Sequence, residues 1–102
     1  MNFKQNKKRR RSEIWSQLAS NLLGLEVEIK ESSSKELEGI RGEIIEETAK
    51  LLRIKTPKKI LWIQKKNQIF EIKLEENTKV IVEGKLLLGD PGTRIKRKIP
   101  NW

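Results

Sequence analysis

From Leu25 onward the apolar side chains fall on every second position, in short runs broken by turn formers. Leu25, Val27 and Ile29 alternate with Glu26, Glu28 and Lys30, the period-two pattern of a strand with one buried and one wet face. Phe70, Ile72 and Leu74 repeat it against Glu71 and Lys73. Between the runs stand Ser32-Ser33-Ser34, Pro57-Lys58, Lys65-Lys66-Asn67, Glu76-Asn77-Thr78 and Gly89-Asp90-Pro91-Gly92, residue types that turn a chain sharply or accept positive φ. The spacing predicts strands over 25–30, 39–47, 51–56 and 59–64, a fifth carrying Phe70, Ile72 and Leu74, and a sixth over 79–88. Gly39, Gly42 and Gly84 interrupt these runs and predict bends or bulges. Six short strands joined by tight turns predict a mainly β fold, a small and strongly bent antiparallel barrel of the Sm-like or SH3-like kind. The OB-fold is its near neighbour.

A different period precedes the strands. Ser12 is a candidate N-cap with Glu13 in the first turn. Ile14, Trp15, Leu18 and Leu22 recur at helical spacing, and Asn21 and Gly24 supply the stop. The predicted helix, 12–23, is too short to be stable alone. Its apolar stripe must pack on the barrel or on a partner.

Charge is unevenly placed. The 102 residues carry a formal net charge of +9. Residues 1–11 hold Lys4, Lys7, Lys8, Arg9, Arg10 and Arg11 without an acid, and residues 94–102 hold Arg94, Lys96, Arg97 and Lys98 without one. Between them 13 basic side chains face 14 acidic ones, so the body is near neutral. Both ends (1–11 as a basic tail, 91–102 as a basic extension, flanking a barrel over 24–90) are expected to stay flexible until a polyanion meets them. Nucleic acid fits, because neutralising phosphates releases condensed counterions. Lys65-Lys66 and Lys58-Lys59, at two hairpin tips, extend that face or simply solubilise the turns.

The same composition excludes much chemistry. With no cysteine and no histidine there is no disulfide, no thiolate nucleophile, no Cys/His zinc site and no imidazole base. Lack of cysteine suits a reducing, cytoplasmic setting. No apolar run reaches the length of a membrane span, so no membrane partner is expected. Glu46-Glu47 and Glu75-Glu76 are adjacent carboxylates at turns, where solvated charge is the ordinary expectation. The chain alone is not expected to be catalytic. Aromatic residues are few: Phe3, Trp15, Trp62, Phe70 and Trp102. Phe70 falls on the inward phase and Trp62 could face either way, so contacts to phosphate and RNA shape are expected over base stacking.

The ordered residues carry a resemblance. Leu23-Gly24-Leu25-Glu26-Val27, Ser32, the segment from Leu37 through Gly39, Gly42, Glu47 and Thr48, Ile69-Phe70-Glu71-Ile72, and Val82-Glu83-Gly84 through Gly89 together resemble the archaeal and eukaryotic ribonuclease P protein component one family. The likeness covers about residues 22 to 98. It implies an Sm-like barrel in which Gly24, Gly39, Gly42, Glu47, Thr48, Gly84 and Gly89 are structural. It further implies a non-catalytic subunit of the ribonucleoprotein that removes the 5′ leader of precursor tRNA, with the catalytic site and its Mg2+ on the RNA and no cofactor on the protein. Implied partners are the ribonuclease P RNA, a zinc-ribbon subunit docked through Ile14, Trp15, Leu18 and Leu22, the other protein subunits, and precursor tRNA indirectly. RNA contacts are expected at Lys7, Lys8, Arg9, Arg10, Arg11, Lys65, Lys66, Arg94, Lys96, Arg97 and Lys98. Asp90 departs from the family pattern, which often has a basic residue there. The alternative is an Sm-like or OB-like RNA-binding or ribosome-associated module without a role in tRNA processing.

Overall fold

The fold is drawn from a computed structural model that describes residues 16–19, 21–75 and 77–90. Six strands alternate with tight turns: β1 (Glu26–Ser32), β2 (Arg41–Glu47), β3 (Leu51–Lys55), β4 (Ile60–Gln64), β5 (Gln68–Glu75) and β6 (Thr78–Glu83). They form one antiparallel sheet in the order β4-β3-β2-β1-β5-β6. Among the described residues the ladder stops short of closure, leaving β4 and β6 as edges. Register shifts between Ile29 and Glu31, Ile44 and Glu46, and Lys73 and Glu75 bend the sheet, since an extra residue kinks its strand and tightens the twist.

The inward phase of the alternation is the core. Val27, Ile29, Ile44, Leu52, Ile54, Ile63, Phe70, Ile72 and Val82 are buried together with Leu87. Gly42 permits the curvature: a Cβ there would collide with the Lys55 carbonyl oxygen and the Ile54 side chain. Thr48 and Thr56 fix the two hairpins flanking β3. Leu51 N–H donates to Thr48 Oγ1 at 3.0 Å, and Lys58 and Lys59 N–H both donate to Thr56 Oγ1, at 3.2 and 3.0 Å. Asn67 turns the next hairpin with φ +68°.

Three expectations change. The sixth strand ends at Glu83, and Gly84–Leu87 forms a 3-10 turn instead of a bent continuation. Gly84 lies so close to the Lys65 carbonyl that a side chain would collide with it, and the chain turns there to cover that end of the sheet. A second 3-10 turn, Lys35–Leu37, lies in the β1–β2 connection. The first helix is described over 16–19, and Asn21 N–H donates to the Gln17 carbonyl at 3.2 Å; Ile14, Trp15 and the rest of its start lie outside the described residues.

The third change concerns the stripe. Leu18, Ala19 and Leu22 have no exposed surface and belong to the same core as the strands. Leu18 and Leu22 are therefore not available as partner contacts. A helix this short gains its stability from such packing, at roughly 1.5–3 kcal/mol for each large side chain buried.

Candidate nucleic-acid interface

Lys65, expected beside Lys66 as a solvated phosphate contact, is fully buried. Its ammonium group donates to Glu47 Oε2 at 2.7 Å, to the Ala49 carbonyl at 3.3 Å and to the Gly89 carbonyl at 3.2 Å. Three donors on one nitrogen satisfy the whole group. Glu47 is not a solvated turn carboxylate either, since its side chain is only 5% exposed. The pair ties the end of β2, the β2–β3 turn and the segment after β6 together, and Gly89 N–H closes the joint by donating to the Ala49 carbonyl at 2.8 Å. The alternation held the signal for Lys65. Leu61 and Ile63 take the inward phase of β4, Lys65 continues it one residue past the strand's end, and its N–H still pairs with the Lys50 carbonyl at 2.9 Å.

Of the other predicted RNA contacts, Lys66 is exposed at its hairpin. Lys7, Lys8, Arg9, Arg10, Arg11, Arg94, Lys96, Arg97 and Lys98 lie outside the described residues. Among the predicted structural residues, Gly24, Gly39 and Gly89 take φ of +87°, +86° and +93°.

A feature of the sequence that net charge concealed becomes spatial in the fold. All 14 acids lie outside residues 48–70, while that stretch carries Lys50, Arg53, Lys55, Lys58, Lys59, Lys65 and Lys66. The body is near neutral only as an average. Residues 48–67 are the β3–β4 hairpin and its two flanking turns, at one edge of the sheet, and residues 68–70 begin β5. Lys50, Lys55, Lys58, Lys59 and Lys66 are all exposed. Lys65 alone of the seven is withdrawn into the core.

Elsewhere the outer face is mixed. A groove of about 650 Å³ crosses β1, β2 and β5 and reaches the start of the β3–β4 turn, where Glu26, Glu28, Glu43 and Glu71 alternate with Arg41, Lys73, Lys79 and the hairpin's own Lys55. Arg41 and Lys30 pair with Glu28 at 3.1 and 3.5 Å. Such a surface repels a phosphate about as often as it attracts one, which leaves the β3–β4 edge as the face suited to a polyanion. Among the described residues no three acidic side chains come together to hold a metal ion. Glu46 is paired with Arg53 at 3.1 Å and Glu47 with Lys65.

A bent, open-edged β-barrel with one acid-free basic hairpin defines a small binding scaffold for a polyanion. The sequence model of the family described as Ribonuclease P/MRP, subunit p29 matches residues 16–97. The chain belongs to that family. It is 41% identical over 86 residues to the ribonuclease P protein component 1 of Methanococcus aeolicus, covering 82% of this chain and 88% of that one. To the protein of the same name from Methanocaldococcus jannaschii it is 40% identical over 83 residues, covering 80% and 86%. A solved structure described as Mth11, a homologue of the human RNase P protein Rpp29, superimposes with a TM-score of 0.54 at 29% identity, covering 74% of this chain and 97% of that one.

Proposed function

We propose that this protein is an RNA-binding, non-catalytic subunit of ribonuclease P, the ribonucleoprotein that removes the 5′ leader of precursor tRNA. The match of residues 16–97 to the p29 family carries the reading, and the acid-free hairpin gives it a physical basis. The protein meets the ribonuclease P RNA through lysine and arginine, screening repulsion between phosphates that the folded RNA brings close. Magnesium and the reacting bond belong to the RNA, and precursor tRNA is met indirectly. The cytoplasm is the expected setting.

The test is cleavage of precursor tRNA by the RNA with and without this protein and its partner subunits, across a magnesium titration. The protein is expected to shift the magnesium requirement downward and to show no cleavage on its own. An unchanged magnesium dependence would sink the reading.

The partners are the other ribonuclease P protein subunits, with a zinc-ribbon subunit as the specific expectation. Because Leu18 and Leu22 are committed to the core, docking on the N-terminal stripe falls to Ile14 and Trp15. Leu18→Ala is expected to lower the stability of the isolated protein by about 2–5 kcal/mol, the usual cost of truncating a fully buried leucine. Trp15→Ala is expected to weaken capture of the zinc-ribbon subunit instead. Equal melting curves for Leu18→Ala and the parent would show that the stripe is not core.

A further inference from the structure

Trp62 is 46% exposed on the outer face of the edge strand β4, and Ile60 beside it is 48% exposed. Large apolar groups on an open edge invite unwanted strand pairing, so their position calls for an occupant. The Arg53 guanidinium lies over the indole with its carbon 5.4 Å from the ring centroid. Arg53 is the direct cross-strand partner of Trp62, and Glu46 holds its other end at 3.1 Å. Arg53 Nε is buried without a hydrogen-bond acceptor, as suits a guanidinium turned toward an aromatic face. The indole is thus held in place on the outer face of the sheet with nearly half its surface open.

What surrounds it selects the occupant. Lys55 is paired with Ile60, two residues along β4 from Trp62 and so about 7 Å away. Lys58 and Lys59 follow at the hairpin tip, in a turn tightened by Thr56. Among the described residues carboxylates approach from the β2 side, with Glu46 on Arg53, Glu43 opposite Lys55, and Glu26, Glu28 and Glu71 farther along the groove that Lys55 borders. An exposed aromatic flanked by cations on an acid-free hairpin is complementary to a base and its phosphates.

We propose that Trp62 is the stacking platform for one unpaired nucleotide of an RNA strand, with Lys55, Lys58 and Lys59 neutralising the phosphates beside it. This rests on the RNA-binding reading above and deepens it. It replaces an interface of phosphate and shape contacts alone with one that also distinguishes unpaired from paired RNA, because a base inside a duplex has no free face.

The test compares full-length protein with Trp62→Ala and Trp62→Phe, binding a single-stranded ribo-oligonucleotide and a blunt duplex of the same length. Trp62→Ala is expected to lose roughly 5- to 150-fold in single-strand affinity, the range that ~1–3 kcal/mol of stacking converts to. Duplex affinity and the salt slope should stay as in the parent, and Trp62→Phe should recover most of the loss. In a Trp15→Phe/Trp102→Phe background, single-stranded RNA should quench the remaining Trp62 emission. Parent-like single-strand binding by Trp62→Ala, with no quenching, overturns the proposal. So does unchanged RNA binding with lost capture of another ribonuclease P protein subunit, which would make the edge a protein dock. If the parent itself binds neither RNA, the RNA-binding reading fails as well; parent binding indifferent to Trp62 leaves that reading standing and removes only the platform.

Discussion

Lys65→Met is expected to lower the unfolding free energy by about 3–5 kcal/mol, because it removes the cation that pairs with the buried Glu47 carboxylate. At roughly 4–8 °C per kcal/mol for a domain of this size, the melting point should fall by at least about 12 °C. The effect is large for a geometric reason. The ammonium group makes three hydrogen bonds, at 2.7, 3.3 and 3.2 Å, to groups on two separate segments, 47–49 and the stretch after β6, so one substitution also removes a donor from the Ala49 and Gly89 carbonyls. The paired change Lys65→Met/Glu47→Leu should recover much of the loss, since replacing both ions with apolar groups removes the stranded charge. Added salt should do little to the parent, because a fully enclosed pair is poorly screened. A Lys65→Met loss below about 1 kcal/mol, the scale of exposed pairs, would mean that water reaches Glu47.

Neutralising the hairpin as Lys55→Gln/Lys58→Gln/Lys59→Gln should weaken binding to ribonuclease P RNA by about 10- to 100-fold near physiological salt and flatten the salt slope by roughly 2–3. The fold should be untouched, as all three side chains are exposed. Arg41→Gln/Lys73→Gln/Lys79→Gln is the matched comparison, because all three cations line the groove that contains four carboxylates, where Lys55 alone of the hairpin three also sits. That triple should alter the slope less. If the two variants behaved alike, charge number and not charge placement would govern binding, and the hairpin would lose its special standing. If only Arg9→Gln/Arg10→Gln/Arg11→Gln changed the slope, the phosphate contacts would lie in the N-terminal run.

Much of this protein is legible in the order of its residues. Alternation places Val27, Ile29, Phe70 and Ile72 inside, and the turn chemistry at Thr48, Thr56 and Asn67 sets where hairpins reverse, because each depends on neighbours within a few positions. The acid-free stretch 48–70 is equally a property of sequence, hidden only when charge is summed over the whole body. Even the burial of Lys65 follows from phase, since it continues Leu61 and Ile63; a lysine's expected solvation at a turn masks it.

Tertiary structure decided the rest. Glu47 faces inward because the register shift between Ile44 and Glu46 reverses the phase of β2, so that Glu46 meets Arg53 outside and Glu47 meets Lys65 inside. No local pattern dictates that extra residue; it goes with the bend of the sheet where β2 pairs with β3. The N-terminal stripe could serve a partner or the barrel with the same spacing, and only the core that receives Leu18 and Leu22 settles its use. Trp62 likewise needed the strand order, which puts β4 at an edge beside Arg53. The local code determines which side chains want burial and where the chain turns. Which charge is enclosed and which aromatic is left open depends on what arrives from elsewhere in the chain.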